Sequence, residues 1–315
     1  MKMKINFAGP LTTVQDGGRR GYMSVGFSFG GAMDLYSMRL SNILVGNAMD
    51  EGVLEITFMG IEAEFDSDAV IAITGADMSP TLNGEPIPTY EAVGVHSGDI
   101  LKMSTAGSGM RAYLAVSGGF DIPMVMGSLS TNLKCAIGGF FGRKLRAGDE
   151  IGLKRSVRLK GERTAKKEND YQKEITVRVI LGPQDDYFTD KGISDFFGSV
   201  YTVSDKSDRM GIRLSGASVE NKNGVDIVSD AVAMGSIQIP ASGEPIIMMA
   251  DRQTTGGYAK IATVVSADLP LVAQAAPGTK IKFKCVSEKV AVNAIKAQTK
   301  CLLRLERKLN FTKRG

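Results

Sequence analysis

Short apolar runs separated by Gly, Pro and Asn-Gly turns recur along the whole chain. Val53-Leu54-Glu55-Ile56-Thr57-Phe58, Ala69 to Asp77 and Val200-Tyr201-Thr202-Val203 have the length and the β-branched content of strands. Ile175 to Leu181 alternates apolar with polar and stops at Gly182-Pro183, as a half-buried strand does. Leu82-Asn83-Gly84-Glu85 carries the Asn-Gly pair of a tight hairpin. Helical spacing is confined to a few places. Leu35, Met38, Ile43 and Leu44 follow Asp34 and Ser28, either of which can cap a helix, and Gly46-Asn47 ends the pattern. Phe188–Phe197 and Val286–Leu309 also read as helices, the latter basic and amphipathic. Ser97-Gly98-Asp99 and Ala147-Gly148-Asp149, with a looser copy at Pro277-Gly278-Thr279, place similar turns before strands in both halves. The pattern predicts a mainly β protein with a few helices.

At 315 residues the chain is long for one domain. Lys and Arg crowd residues 154–174, so the lobes divide there. The expected organisation is an N-terminal lobe over residues 1–160, a solvated charged linker or excursion at 161–174, a second lobe at 175–285 and a basic helix at 286–315. The basic helix suits packing on its own protein better than a membrane surface. Net charge is +4, which gives no argument for nucleic acid. No apolar run approaches the ~20 residues of a membrane span, and none follows Met1-Lys2-Met3-Lys4 as a signal peptide would. Cys135, Cys285 and Cys301 are far apart, which fits buried thiols in a reducing cytoplasm. His96 is the single histidine and sits in a turn, so a multi-histidine zinc site is excluded and no metal is expected. Proton transfer then falls to Asp, Glu, Lys or Tyr.

The candidate chemistry gathers in Asp251-Arg252-Gln253-Thr254-Thr255-Gly256-Gly257-Tyr258-Ala259-Lys260-Ile261, between the apolar runs 245–250 and 261–265. A long loop this rich in distinct groups exceeds what a hairpin needs. Its Gly pair supplies either positive φ or close approach of a ligand. Thr12 to Tyr22 has a similar composition in a different order, with Asp16 and Arg19 in the turn. Two such loops economically line one site from two lobes.

These residues resemble the KipA-like proteins, also called allophanate hydrolase subunit 2 or the C subunit of 5-oxoprolinase. The resemblance runs from about Gly9 to Phe283. It includes Thr13-Val14-Gln15-Asp16, Gly30-Gly31-Ala32-Met33-Asp34, Leu54-Glu55, Gly138-Gly139-Phe140-Phe141-Gly142-Arg143, Ser207-Asp208-Arg209-Met210-Gly211 and Gly235-Ser236-Ile237-Gln238. In Gly127-Ser128-Leu129-Ser130-Thr131, Leu129 replaces an expected Arg, which weakens an anion site there. The family shares its fold with half of the carboxyltransferase domain of urea carboxylase, so the expectation is two cyclophilin-like β-barrel lobes.

The resemblance implies ATP-dependent opening of 5-oxo-L-proline to L-glutamate. One partner would be a KipI-like (allophanate hydrolase subunit 1) protein and the other a LamB/YcsF-like protein. A small cyclic amide bearing a carboxylate needs a cation and oxyanion donors. Lys260, Asp251 and Asp16 are the candidate catalytic groups, Lys260 through desolvation at the start of a strand. Arg252, Gln253, Thr254, Thr255, Gly257, Tyr258, Arg19, Gln238 and Arg209 are the candidate binding groups. No Gly-x-x-x-x-Gly-Lys-Ser/Thr motif occurs, so ATP would be shared with or housed in a partner. The alternatives are a biotin-dependent carboxyltransferase half and a non-catalytic regulator that binds a KipI-like kinase inhibitor. Met1-Lys2-Met3 lacks the surroundings of a carrier hairpin, so no biotinyl lysine is expected in this chain.

Overall fold

A computed structural model describes the chain except residues 156–158, 160, 168–170, 223 and 312–315, and the side chains of Asn310 and Phe311. Parts of the charged stretch and the end of the C-terminal helix therefore lie outside the described residues. The chain divides into two compact units. The first comprises residues 1–20, 30–171 and 300–315, and the second comprises 21–29 and 172–299.

In the first unit the strands are β1 (Lys2–Phe7), β2 (Leu11–Gln15), β3 (Val53–Thr57), β4 (Glu62–Phe65), β5 (Ala69–Asp77), β6 (Thr81–Leu82), β7 (Glu85–Pro86), β8 (Ala92–Val95), β9 (Ile100–Lys102), β10 (Ser108–Val116) and β11 (Glu150–Gly152). They form a six-stranded sheet, β11-β1-β4-β9-β6-β7, and a five-stranded sheet, β2-β3-β10-β5-β8. Met3, Ile5, Phe65, Ile73 and Leu114 belong to one core cluster that draws residues from both sheets. Asn83 and Gly84 both take positive φ, which is why that pair makes the β6–β7 turn. Helix α1 (Leu35–Leu44) is capped by Asp34, whose carboxylate accepts from Ser37 N, and ends before a left-handed Gly46.

Glu55 is fully buried on β3. Its Oε2 accepts from Met33 N at 2.7 Å and from the Tyr113 hydroxyl at 2.9 Å. Burial, with the Glu55 and Asp34 carboxylates nearby, pushes the Tyr113 phenol well up, so it stays a donor. The charged excursion is less solvated than its composition suggests. Arg163 is buried and donates to the carbonyls of Leu44, Ile43 and Leu309 at 2.6, 2.7 and 2.8 Å. Those carbonyls end α1 and lie in the last turns of α4 (Glu288–Phe311), where a cation meets the negative helix end.

The second unit holds β12 (Glu174–Leu181), α2 (Asp190–Gly198), β13 (Tyr201–Val203), β14 (Gly211–Ser215), β15 (Asp226–Ala231), β16 (Ser236–Gln238), β17 (Ile246–Met248), β18 (Thr255–Tyr258), β19 (Lys260–Val264), α3 (Leu269–Gln274) and β20 (Lys280–Cys285). Seven of these strands close a barrel in the order β12-β19-β16-β17-β14-β13-β20. Strands β15 and β18 form a separate two-stranded ribbon. Residues 288–299 of α4 count with this unit. Val290 and Ile295 stay exposed there while Ala291 is buried, so only one stripe of the helix packs. No helix among the described residues is long and apolar enough to cross a membrane.

Candidate functional site

The 251–261 stretch is not one long loop. A turn at 249–252 is followed by β18, which pairs antiparallel with β15 in the register Asp226↔Tyr258, Asp230↔Gly256 and Ala231↔Thr255. The turn is held by Arg209. Its guanidinium makes a two-pronged ion pair with Asp251, Nε–Oδ2 2.9 Å and Nη2–Oδ1 3.1 Å, while Asp251 N donates to Arg209 O. Such planar, buried pairs fix geometry. Asp251, expected as a base, and Arg209, expected as a substrate ligand, are thus paired with each other in the structure.

Arg252 is different. It is only 6% exposed. Its Nε donates to Val232 O at 2.8 Å, Nη1 reaches Met249 O at 3.3 Å, and Nη2 lies 4.0 Å from the Met23 sulfur. No carboxylate of the described residues pairs with it. Burial lowers its pKa to about 10, so it is still a cation at neutral pH. A buried cation held by neutral acceptors alone is a place where an anion is stabilised.

Lys260 is 2% exposed, and its Nζ pairs with Asp230 at 2.9 Å. Gln184 joins them: its Oε1 accepts from Lys260 N at 3.2 Å and its Nε2 lies 3.4 Å from Asp230 Oδ2. The ammonium holds the Asp230 carboxyl below its ordinary range. Asp230 and Gln184 escaped the sequence reading because nothing in their local pattern ties them to a residue on another strand.

Gln238 is buried on β16, with Nε2 3.5 Å from Tyr258 O. A Cβ on Gly256 would stand 2.6 Å from Gln238 Nε2 and 2.7 Å from Gln253 Nε2. Gly256 is needed for this close approach of two amides and not for left-handed backbone, since neither Gly256 nor Gly257 has positive φ. Gln253, Thr255 and Tyr258 are exposed, and Thr254 and Gly257 half-buried, so their polar groups are open to a ligand. In one unit the structure thus brings together a buried guanidinium, a buried ammonium and converging amides.

Asp16 and Arg19 lie in the first unit and have structural work there. The Asp16 carboxylate is 5% exposed and accepts from Gly18 N, Ser128 Oγ, Leu129 N and Ser130 Oγ. The segment in which Leu129 stands in place of an Arg, weakening an anion site, donates to this carboxylate through Ser128, Ser130 and the Leu129 backbone N–H. Arg19 is fully buried and donates to Val125 O and Ser130 O. Asp16, expected as a catalytic base, and Arg19, expected as a substrate ligand, are thus engaged by partners within the first unit. Lys2 stands within β1, paired with β11 and β4, its ammonium 2.8 Å from Glu150. Among the described residues no group of three or more His, Cys, Asp and Glu can hold a metal ion.

The chain is 38% identical over 292 residues to the C subunit of 5-oxoprolinase from Escherichia coli, covering 93% of this chain and 94% of that protein. The corresponding Haemophilus influenzae C subunit is 40% identical over 279 residues, covering 87% and 88%. The crystal structure of the K. lactis urea amidolyase superposes with a TM-score of 0.91 at 32% identity, covering 96% of this chain but 20% of that one. The K. lactis urea carboxylase gives 0.89 at 32% identity, covering 96% and 29%. Residues 25–285 match the family described as carboxyltransferase domain, subdomain A and B. With most of its length inside that match and near-full-length relatives, this chain belongs to the carboxyltransferase domain, subdomain A and B, family.

Proposed function

We propose that this protein is a subunit of an ATP-dependent 5-oxoprolinase, opening 5-oxo-L-proline to L-glutamate with KipI-like and LamB/YcsF-like partners. The observation that carries the reading is Arg252, a buried guanidinium whose described partners are all neutral, close in sequence to the amides that converge on Gly256. A carboxylate on a small ring supplies the missing counter-charge. The lactam carbonyl and N–H suit the amides of Gln238 and Gln253. In the reaction water adds to the lactam carbonyl carbon, the ring C–N bond breaks, and the freed nitrogen takes a proton. Lys260 is the group of this chain suited to hold or deliver that proton, because its ammonium is desolvated and faces one carboxylate. The names of the two near-full-length relatives support the substrate. ATP is assigned to a partner or a shared site, since the sequence has no phosphate-binding loop of the P-loop type.

The similarity to urea amidolyase keeps biotin-dependent carboxyl transfer as the second reading. That reaction requires a biotinylated carrier. Reconstitution separates the two. The three-protein set should release glutamate from 5-oxo-L-proline with ATP and without any biotinylated carrier, and Lys260→Met should abolish release while assembly persists. Glutamate release at the full rate from the Lys260→Met set would refute the assignment of the residue. No release from the wild-type set, with carboxylation of an amide once a biotinylated carrier is added, would favour the second reading.

A further inference from the structure

Both candidate cations of the site are engaged by one strand and the residue just beyond it. Arg252 Nε donates to Val232 O, and Lys260 Nζ pairs with Asp230, two residues earlier. That strand, β15, is thinly held. Among the described strands it pairs with β18 alone, and five of its six residues are exposed, Val228 at 93%. Its register on β18 slips between Asp226 and Asp230. Its flanks are anchored, because Val225 and Val232 are buried, and Ala259 N donates to Val225 O and Val232 N to Thr254 O. Between these anchors, the side chain that ties the arch to the barrel is Asp230, through Lys260 and Gln184.

We propose that Asp230 is a displaceable stand-in for a second ligand carboxylate on Lys260, the first being held by Arg252, so that the side-chain carboxylate of the product L-glutamate takes the ammonium and frees the middle of the β15–β18 ribbon. A buried ammonium must keep an anionic partner, and exchanging one carboxylate for another preserves it. The exchange is cheap on the protein side. The Asp230 side chain is already 51% exposed, while that of Lys260 is 3% exposed, so the released carboxylate returns to water and the cation does not. The buried valines at both ends let the arch shift without detaching. Asp230 thereby sets the charge requirement of the site: a neutral ligand cannot compete for Lys260. The inference rests on the reading of this site as the substrate site, but it concerns carboxylates in general.

The test is binding to the full chain by calorimetry, wild type against Asp230→Asn, with three probes: L-glutamate, acetate and the neutral lactam 2-pyrrolidinone. Removing a half-exposed competitor should tighten the two carboxylates by about three- to tenfold and leave 2-pyrrolidinone unchanged. In the wild type, either carboxylate should speed hydrogen exchange of the amides at 226–231 while the barrel strands stay protected. Equal or weaker carboxylate binding by a normally melting Asp230→Asn, or ribbon exchange unaffected by bound carboxylate, overturns the proposal and leaves Asp230 a buttress. Should the variant fail to fold, the wild-type exchange measurement with acetate decides alone. If acetate shows the pattern and L-glutamate does not bind, the exchange of carboxylates stands and the substrate assignment falls.

Discussion

Arg252→Met tests the site most directly, because stability and binding should respond in different ways. Burial lowers the guanidinium pKa to about 10, a disfavouring of its charged form worth about 3 kcal/mol. Methionine is of similar reach and removes that cost. The loss is one well-made charged hydrogen bond, Nε to Val232 O at 2.8 Å, worth about 1.5–3 kcal/mol. The 3.3 Å contact to Met249 O and the 4.0 Å contact to the Met23 sulfur are too long to add much. The two sides nearly cancel, so the melting temperature should move by no more than about 5 °C. Binding has no such compensation. A desolvated Arg–carboxylate contact is worth about 2–5 kcal/mol, so affinity for 5-oxo-L-proline should fall by about 30-fold or more. Scanning fluorimetry and calorimetry on the same preparation give both numbers. A variant that melts far below the wild type yet binds 5-oxo-L-proline as tightly would refute the reasoning and make Arg252 a clip for β15.

Three further outcomes follow from the geometry. Asp16→Ala should cost about 3 kcal/mol or more in urea unfolding, because it strands two backbone N–H groups and two buried hydroxyls in the first unit; a change under about 1 kcal/mol would show that water replaces the carboxylate. Gly256→Ala should leave folding nearly intact and weaken ligand binding, since the new methyl displaces the flexible Gln238 and Gln253 amides and no backbone; unchanged binding would remove those amides from the site. Asp149 is held low by Arg143, Asp230 by Lys260 and Glu174 by Lys282. Depressed carboxyl pKa values give stability that is full above the unfolded values near pH ~4 and is lost as pH falls through the folded ones. Unfolding free energy measured against pH should therefore be flat on this account above about pH 5 and decline below about pH 4.

What the sequence determined by itself was local. The span of β5, the Asp34 cap and left-handed Gly46 of α1 and the Asn83-Gly84 turn all follow from periods and backbone preferences that act over a few residues. The partners of the buried charges did not follow, because topology chooses them. Asp16 meets Ser128 across 112 residues, Arg163 meets Leu44 across 119, and Lys260 meets Asp230 across 30. Lys260 was legible as a polar group opening an apolar strand, Asp16 as one group of a polar turn, and Arg163 only as one charge of a solvated stretch. Whether each faced a ligand or the protein depended on which distant strand or loop folded against it. Burial then made the choice consequential: a charge removed from water must take a partner, and the fold supplied one to Asp16, Asp251 and Lys260 while giving Arg252 only neutral ones.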